Sequence, residues 1–226
     1  MSDTNIVSAL EKITNELPKD VTLVAVSKTK PDNYILRAYE AGHRDFGENK
    51  VQDITKKYER LPKDIRWHFI GHLQRNKVKY ITPFVHMIHS VDSLTLLKEI
   101  DKRSALNSRQ INCLLQISIA EEESKFGLNQ LELNELLESE DYRNMGNVKV
   151  VGLMGMATNT QDENKIRFEF LSLNQIFTST KSVYFNSEKS FYFLSMGMTN
   201  DYKIAIEEGS NMIRIGSLIF GVRSNL

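Results

Sequence analysis

The sequence has few of the features that mark secreted, membrane-spanning or strongly charged proteins. Only one of its 226 residues is cysteine, so no disulfide can form within the chain. Lysine plus arginine and aspartate plus glutamate both number 29, so no net charge favours nucleic acid or a membrane surface. No apolar run approaches the roughly 20 residues of a membrane-spanning helix. These absences favour a globular, cytoplasmic protein in a reducing compartment.

Motifs of several common site classes are also absent. The first residues lack a basic segment followed by an apolar stretch, which argues against a signal peptide. There is no Gly-x-Gly-x-x-Gly, P-loop or nucleophile elbow. The histidines lack metal-ligand spacing with carboxylates or cysteines, so we predict no metal site. No proline-, glycine- or serine-rich stretch divides the chain, and we expect one domain over residues 1–226.

Short apolar runs alternate with longer segments of helical period along the chain. Several runs are continuously apolar, which is typical of parallel strands covered on both faces. We predict eight strands, at residues 21–27, 44–48, 66–71, 85–90, 112–119, 148–154, 191–196 and 211–216. The pattern predicts an α/β fold, a single (β/α)8 TIM barrel with an extra N-terminal helix. An open doubly wound sheet is the alternative.

The segments between these runs carry helical patterns. We predict helices at 2–17, 31–42, 92–106, 129–140, 162–180 and 200–209, the third with Asp92 as its N-cap. The polar residues 178–190 are interpreted as an irregular surface loop. The basic stretch 74–79 lacks interleaved aromatic residues, which favours a solvated helix face over a nucleic-acid site. Cys113 lies in an apolar run and is expected to be a buried, inert thiol.

Active groups of a barrel gather where the strands end, so polar residues that follow the apolar runs should converge. Lys28 follows the first run, where a partly desolvated amine becomes nucleophilic toward an aldehyde. A solvated surface lysine is the alternative. Ser195 and Thr199 follow the seventh run, and Gly216 and Ser217 follow the eighth. Two such turns in neighbouring loops predict a phosphate site.

Three further residues lie beside these turns. Arg214 precedes Gly216 by two residues and should reach inward from the last strand. A structural arginine paired with a core carboxylate is the alternative for it. Asn49 and His72 follow the second and third runs, and His72 is either a general base or a residue that holds a loop in place.

The chain resembles the YggS/PROSC family of pyridoxal phosphate homeostasis proteins. The matching segments occur in the family's order along nearly the whole chain, and their combination is highly specific. They are LVAVSKTKP (23–31), FGENKVQ (46–52), WHFIGHLQRNK (67–77), HSVD (89–92), KFGL (125–128), GLMGMA (152–157), LSMGMTND (194–201) and AIEEGSNMIRIGSLIFG (205–221).

The resemblance implies a barrel like the N-terminal domain of alanine racemase that binds pyridoxal 5′-phosphate (PLP). Lys28 would hold the cofactor as a Schiff base, and Arg214 would face its pyridine nitrogen. An arginine there keeps its proton and does not readily protonate the ring. The remaining expected cofactor contacts are Ser195, Thr199, Gly216 and Ser217 around the phosphate, Asn49 and His72 lining the pocket, and Met154 and Met196 packing near it. Thr199 stands where a serine is usual, so a hydroxyl remains.

The resemblance also implies a role. A non-catalytic, monomeric PLP carrier that supplies apo-enzymes is the leading hypothesis. A two-base racemase needs a base on each face of the substrate carbon, and alanine racemase takes its second one from a C-terminal domain for which this sequence has no counterpart. A racemase of low activity is the alternative. A barrel enzyme in which Lys28 forms a Schiff base with a sugar phosphate is the third hypothesis.

Overall fold

The computed structural model describes residues 3–120 and 126–221 and shows a closed barrel of eight parallel strands. Each strand pairs with the next along the chain, and β8 pairs with β1. The strands are β1 Thr22–Val26, β2 Asp45–Glu48, β3 Arg66–Phe69, β4 Met87–Val91, β5 Ile111–Gln116, β6 Val148–Met154, β7 Phe193–Ser195 and β8 Met212–Ile215. The predicted barrel is confirmed, and its closure excludes the open sheet.

Helices cover the outside of the barrel. They are α1 Asp3–Glu16, α2 Asp32–Glu40, α3 Val51–Arg60, α4 Val78–Ile81, α5 Leu94–Leu106, α6 Gln130–Glu138, α7 Glu140–Arg143, α8 Glu163–Tyr184, α9 Tyr202–Glu207 and α10 Ser217–Phe220. A 3-10 turn at Arg75–Lys77 leads into α4. Of the residues in the matching segments and predicted helices, Ser2 and Lys125 lie outside the described residues.

The structure corrects two local expectations. Residues 178–184 continue α8 and are not a loop, because Thr180 is buried and the chain after the helix packs Phe185 against Phe191 with ring centroids 4.2 Å apart. The N-cap of α5 is Ser93, one residue after Asp92, since the Ser93 side chain accepts a hydrogen bond from the backbone N–H of Leu96.

The core has two layers, which follow from the alternation of side chains along each strand. Outward-facing residues such as Ala25 and Ile213 pack against the helices in one large cluster. A smaller apolar cluster comprises Val24, Met87, Leu114, Val151, Met154 and Met212. Cys113 is fully buried, as expected, and burial raises the pKa of its thiol well above the ordinary value. All strands are parallel, so their carboxyl ends form one mouth, where the expected site residues should lie.

Candidate functional site

Lys28 lies in a tight turn at the mouth, two residues beyond the end of β1. The backbone N–H of Lys30 donates to the carbonyl of Ser27 over 3.0 Å and closes the turn. The next residue, Thr29, has a φ of 66°. A β-branched residue with that φ is strained by about 1–3 kcal/mol, and such strain persists where the surroundings hold the backbone. Lys28 is therefore presented by a constrained segment.

A buried ion pair anchors this turn from below. The Ser27 hydroxyl donates to Glu48 Oε1 over 2.6 Å, and Lys57 Nζ donates to the same oxygen over 2.6 Å and to the Ser27 carbonyl over 2.9 Å. Burial raises the pKa of the Glu48 carboxyl, against the opposing effect of the Lys57 charge. Lys57 was missed by sequence reasoning because helix α3 was not predicted, although a lone lysine on its apolar face was a usable signal.

The loops after β7 and β8 bring two hydroxyls together. Ser217 donates to Thr199 Oγ1 over 3.1 Å, so the two predicted turns meet as expected. Between Ser217 and β8 lies Gly216, where a Cβ atom would stand 3.0 Å from the carbonyl oxygen of Val26. A side chain there would require the backbone at the end of β1 to shift by a few tenths of an ångström, so glycine suits this close approach. The hydroxyl of Ser217 thus follows β8, the neighbour of the strand that carries Lys28, and the hydroxyl of Thr199 follows β7, the next strand along.

Arg214 points into the barrel and is almost fully buried. Its Nη1 donates to the carbonyl and the hydroxyl of Ser195 over 2.9 and 2.7 Å, and its Nη2 donates to the Gly155 carbonyl over 3.1 Å. Burial lowers the pKa of the guanidinium to about 10, against the opposing effect of Asp201. Among the described residues no carboxylate forms an ion pair with Arg214, so the predicted alternative of a core ion pair is wrong.

The guanidinium retains donors that these contacts do not use. Its five N–H groups include three that donate to Ser195 and Gly155. Within the described part of the chain, the Nε–H and one Nη2–H have no acceptor. No Arg214 nitrogen is among the fully enclosed side-chain atoms without a partner in the described residues, so these donors are open to an acceptor atom from a ligand.

Two of the predicted cofactor contacts are placed differently from expectation. Ser195 is fully buried, and its hydroxyl is bonded to Arg214 and lies 3.2 Å from His89 Nδ1, so it supports the guanidinium and does not join the hydroxyl pair. Met196 belongs to the outer cluster between strands and helices, because it follows the inward-facing Ser195 by one residue. Its expected contact with the cofactor stays a prediction. Met154 is buried in the smaller cluster, next to Ser195 in the sheet.

The loops after β2, β3 and β5 form the other side of the mouth. Asn49 is half-buried, and a Cβ atom at Gly71 would lie 2.3 Å from its carbonyl oxygen, which explains the glycine after β3. His72 is exposed; its ring centroid lies 4.4 Å from that of Phe126, and its Nδ1 lies 3.3 Å from Asp92 Oδ2. These contacts support a role in holding the loops together. A cavity of about 200 Å³ opens nearby, lined by residues at or beyond the ends of β5, β6 and β7 that include Gln116, Asn159 and Met198.

Comparisons with known proteins agree with this geometry. Residues 4–224 match the model of the alanine racemase N-terminal domain. The chain is 40% identical over 202 residues to the pyridoxal phosphate homeostasis protein of Aquifex aeolicus, covering 89% of this chain and 86% of that protein. It is 35% identical over 211 residues to the protein of the same name from Escherichia coli, covering 91% and 87%.

Solved structures give the same result. PipY of Synechococcus elongatus, solved with PLP bound, superposes with a TM-score of 0.86 at 31% identity and covers 96% of this chain and 100% of its own. An alanine racemase from E. faecalis has a TM-score of 0.74 at 12% identity, covering 99% of this chain and 59% of that one, which shows a shared fold. The chain therefore belongs to the alanine racemase N-terminal domain family and, within it, to the pyridoxal phosphate homeostasis proteins.

Proposed function

We propose that this protein binds PLP through a Schiff base on Lys28 and takes part in PLP homeostasis. The carrying observation is the convergence of three groups on neighbouring strands: the Lys28 turn after β1, the Thr199–Ser217 hydroxyl pair after β7 and β8, and Arg214 on β8. The PLP bound to PipY and the name shared by the relatives also support the proposal.

The residues present fit the chemical groups of PLP. An amine matches its aldehyde, two hydroxyls match its phosphate, and an unfilled N–H of a buried guanidinium matches its pyridine nitrogen. When bound, PLP supplies a reversible imine. Thr199 and Ser217 would donate to the phosphate, and Arg214 would donate to the ring nitrogen while keeping its own proton, because its pKa of about 10 leaves it charged at neutral pH.

The test is an absorbance spectrum of the protein with PLP before and after borohydride reduction. Wild type should show a visible Schiff-base band that is lost on reduction, with PLP then fixed to Lys28 by peptide mapping. Lys28→Ala should show no band. Lys50→Ala is the matched control, because Lys50 is exposed beside Asn49 at the same mouth. A band in Lys28→Ala, or none in wild type, would refute the proposal.

We further propose that the role is non-catalytic, that the protein acts as a monomer in the cytoplasm, and that it passes PLP to apo-enzymes. The naming of the relatives as homeostasis proteins supports a role in supply over a role in turnover. Among the described residues no helix is long and apolar enough to span a membrane. PLP should reach an apo-enzyme faster from the loaded protein than through free solution. Rapid deuterium incorporation at Cα of an amino acid would instead identify a racemase.

A further inference from the structure

A continuous line of hydrogen bonds crosses the barrel interior from its amino-terminal end to the mouth. Asp45 Oδ1 lies 3.0 Å from His68 Nε2, and His68 Nδ1 lies 2.9 Å from His89 Nε2. His89 Nδ1 lies 3.2 Å from Ser195 Oγ, which accepts from Arg214 Nη1 over 2.7 Å. We name these five residues, Asp45, His68, His89, Ser195 and Arg214, the interior array.

The interior array is shielded from water except at one end. His68, His89 and Ser195 are each at most 1% exposed. Asp45 is the first residue of β2 and is paired with Arg66, the first residue of β3, whose side chain is 47% exposed. Buried polar groups next to an apolar cluster are costly unless each one is hydrogen-bonded. Within the array, each of the side chains between Asp45 and Arg214 is hydrogen-bonded to both of its neighbours.

The chemistry of the two ends fixes the direction of every hydrogen bond between them. Arg214 can only donate, and an ionised Asp45 can only accept. Burial raises the pKa of Asp45, but hydrogen bonds from Arg66 and His68 outweigh it and hold that pKa far below the ordinary value. With His68 and His89 neutral, His68 Nε2–H donates to Asp45, His89 Nε2–H donates to His68 Nδ1, and Ser195 donates to His89 Nδ1. Both histidines are then Nε2–H tautomers.

The surrounding charges favour this neutral arrangement at His89. Burial lowers the pKa of His89 well below its ordinary value, and the positive charge of Arg214 acts in the same direction. Asp45 opposes them from the far side of His68. His89 therefore remains an acceptor toward Ser195, and the Ser195 oxygen remains an acceptor toward Arg214.

We propose that Asp45, His68, His89 and Ser195 are positioning residues that orient Arg214, so that its unused N–H groups meet the pyridine nitrogen of PLP. The proposal rests on the proposed function and deepens it. The array acts through Arg214 alone, since none of its other members is placed with the Lys28 turn or the Thr199–Ser217 hydroxyls. Loss of the array should therefore affect recognition of the ring nitrogen and leave capture of the aldehyde and phosphate intact.

The experiment compares PLP with 1-deaza-PLP, in which a C–H replaces the ring nitrogen. His89→Leu removes both hydrogen bonds, whereas His89→Gln keeps one donor and one acceptor. We expect His89→Leu to raise the Kd for PLP roughly tenfold while changing that for 1-deaza-PLP little, and His89→Gln to restore most of the PLP affinity. His86→Gln is the matched control, because its ring lies near His68 but outside the array. Equal weakening of both ligands would mean a merely structural role and would overturn the proposal.

A second measurement needs no cofactor. Nitrogen-15 NMR of the ligand-free protein should find His68 and His89 as neutral Nε2–H tautomers. An Nδ1–H tautomer at either residue would reverse the hydrogen-bond direction and overturn the proposal. The tautomer measurement also distinguishes failure of this proposal from failure of the proposed function. A wild type that forms no Schiff base would refute the proposed function, and with it the role toward PLP, even if both tautomers are as expected.

Discussion

The ammonium nitrogen of Lys57 lies 2.9 Å from the carbonyl oxygen of Ser27, the residue directly before Lys28. The same nitrogen bonds to the buried carboxylate of Glu48, which in turn accepts from the Ser27 hydroxyl. Helix α3 is thereby linked to the turn that presents the candidate cofactor lysine. A charge pair this deeply buried adds little net stability. It does fix the positions of both side chains, because removal of either one leaves the other charge buried without a partner.

Lys57→Met should lower the free energy of unfolding by about 3–5 kcal/mol, because it leaves the Glu48 charge buried without its partner. The double variant Lys57→Met/Glu48→Leu should recover most of that loss. Denaturant unfolding of the two variants measures both effects. Lys98→Met is the control, since Lys98 pairs with Asp141 on the surface with both side chains 51% exposed, and it should cost under about 1 kcal/mol. A Lys57→Met variant as stable as wild type would show that the pair is dispensable.

Thr29→Gly should stabilise the fold by roughly 1 kcal/mol, because glycine adopts a φ of 66° without steric cost. It should also weaken PLP binding by roughly threefold, since the turn that presents Lys28 becomes less ordered in the free protein. Thermal unfolding and PLP titration measure the two effects. Ser108→Gly, at the other non-glycine residue with positive φ among those described, should stabilise without changing PLP binding. A similar loss of binding in both variants would contradict a specific role for the Thr29 turn.

Thr199→Val and Ser217→Ala should each raise the Kd for PLP roughly tenfold, because each removes a hydroxyl that would donate to the phosphate. Binding of pyridoxal, which has no phosphate, should change little. The comparison is made by titration of the Schiff-base absorbance with both aldehydes. Ser172→Ala removes a hydroxyl on the exposed side of α8 and should have no effect on either ligand. An equal loss for PLP and pyridoxal would place the phosphate elsewhere.

His86 should make the fold sensitive to acid. Burial lowers the pKa of its imidazole from 6.5 to about 4. Between these two values the unfolded chain binds a proton that the folded chain does not, so the free energy of unfolding falls as the pH drops from 6.5 toward 4. His86→Gln should reduce the slope of the free energy of unfolding against pH by at most about 1.4 kcal/mol per pH unit, which is the slope for one proton. Urea unfolding at several pH values tests this, and an unchanged slope would show that His86 titrates alike in both states.

The local pattern of the sequence was enough to predict the barrel and most of its mouth. Each of the eight apolar runs became a strand, because a run covered on both faces has few other ways to bury its side chains. Closure of parallel strands then brings their carboxyl ends together, which is why Lys28, Thr199 and Ser217 were recognisable as neighbours in the fold. The alternation along β7 also assigns Met196 to the outer face, where the structure places it.

Contacts between distant segments were decided by the tertiary structure alone. Lys57 reaches Ser27 because α3 packs beside β2, whose last residue is Glu48. The lysine on the apolar face of α3 signals burial, but it does not identify the residue that the lysine meets. His89 and Ser195 are 106 residues apart, and their hydrogen bond depends on barrel diameter and strand register, which no local period encodes. The sequence by itself determined which strands form and which residues follow them, through side-chain period and turn chemistry. The interior array and the anchoring of Lys28 required the closed barrel, because only closure fixes distances across its interior.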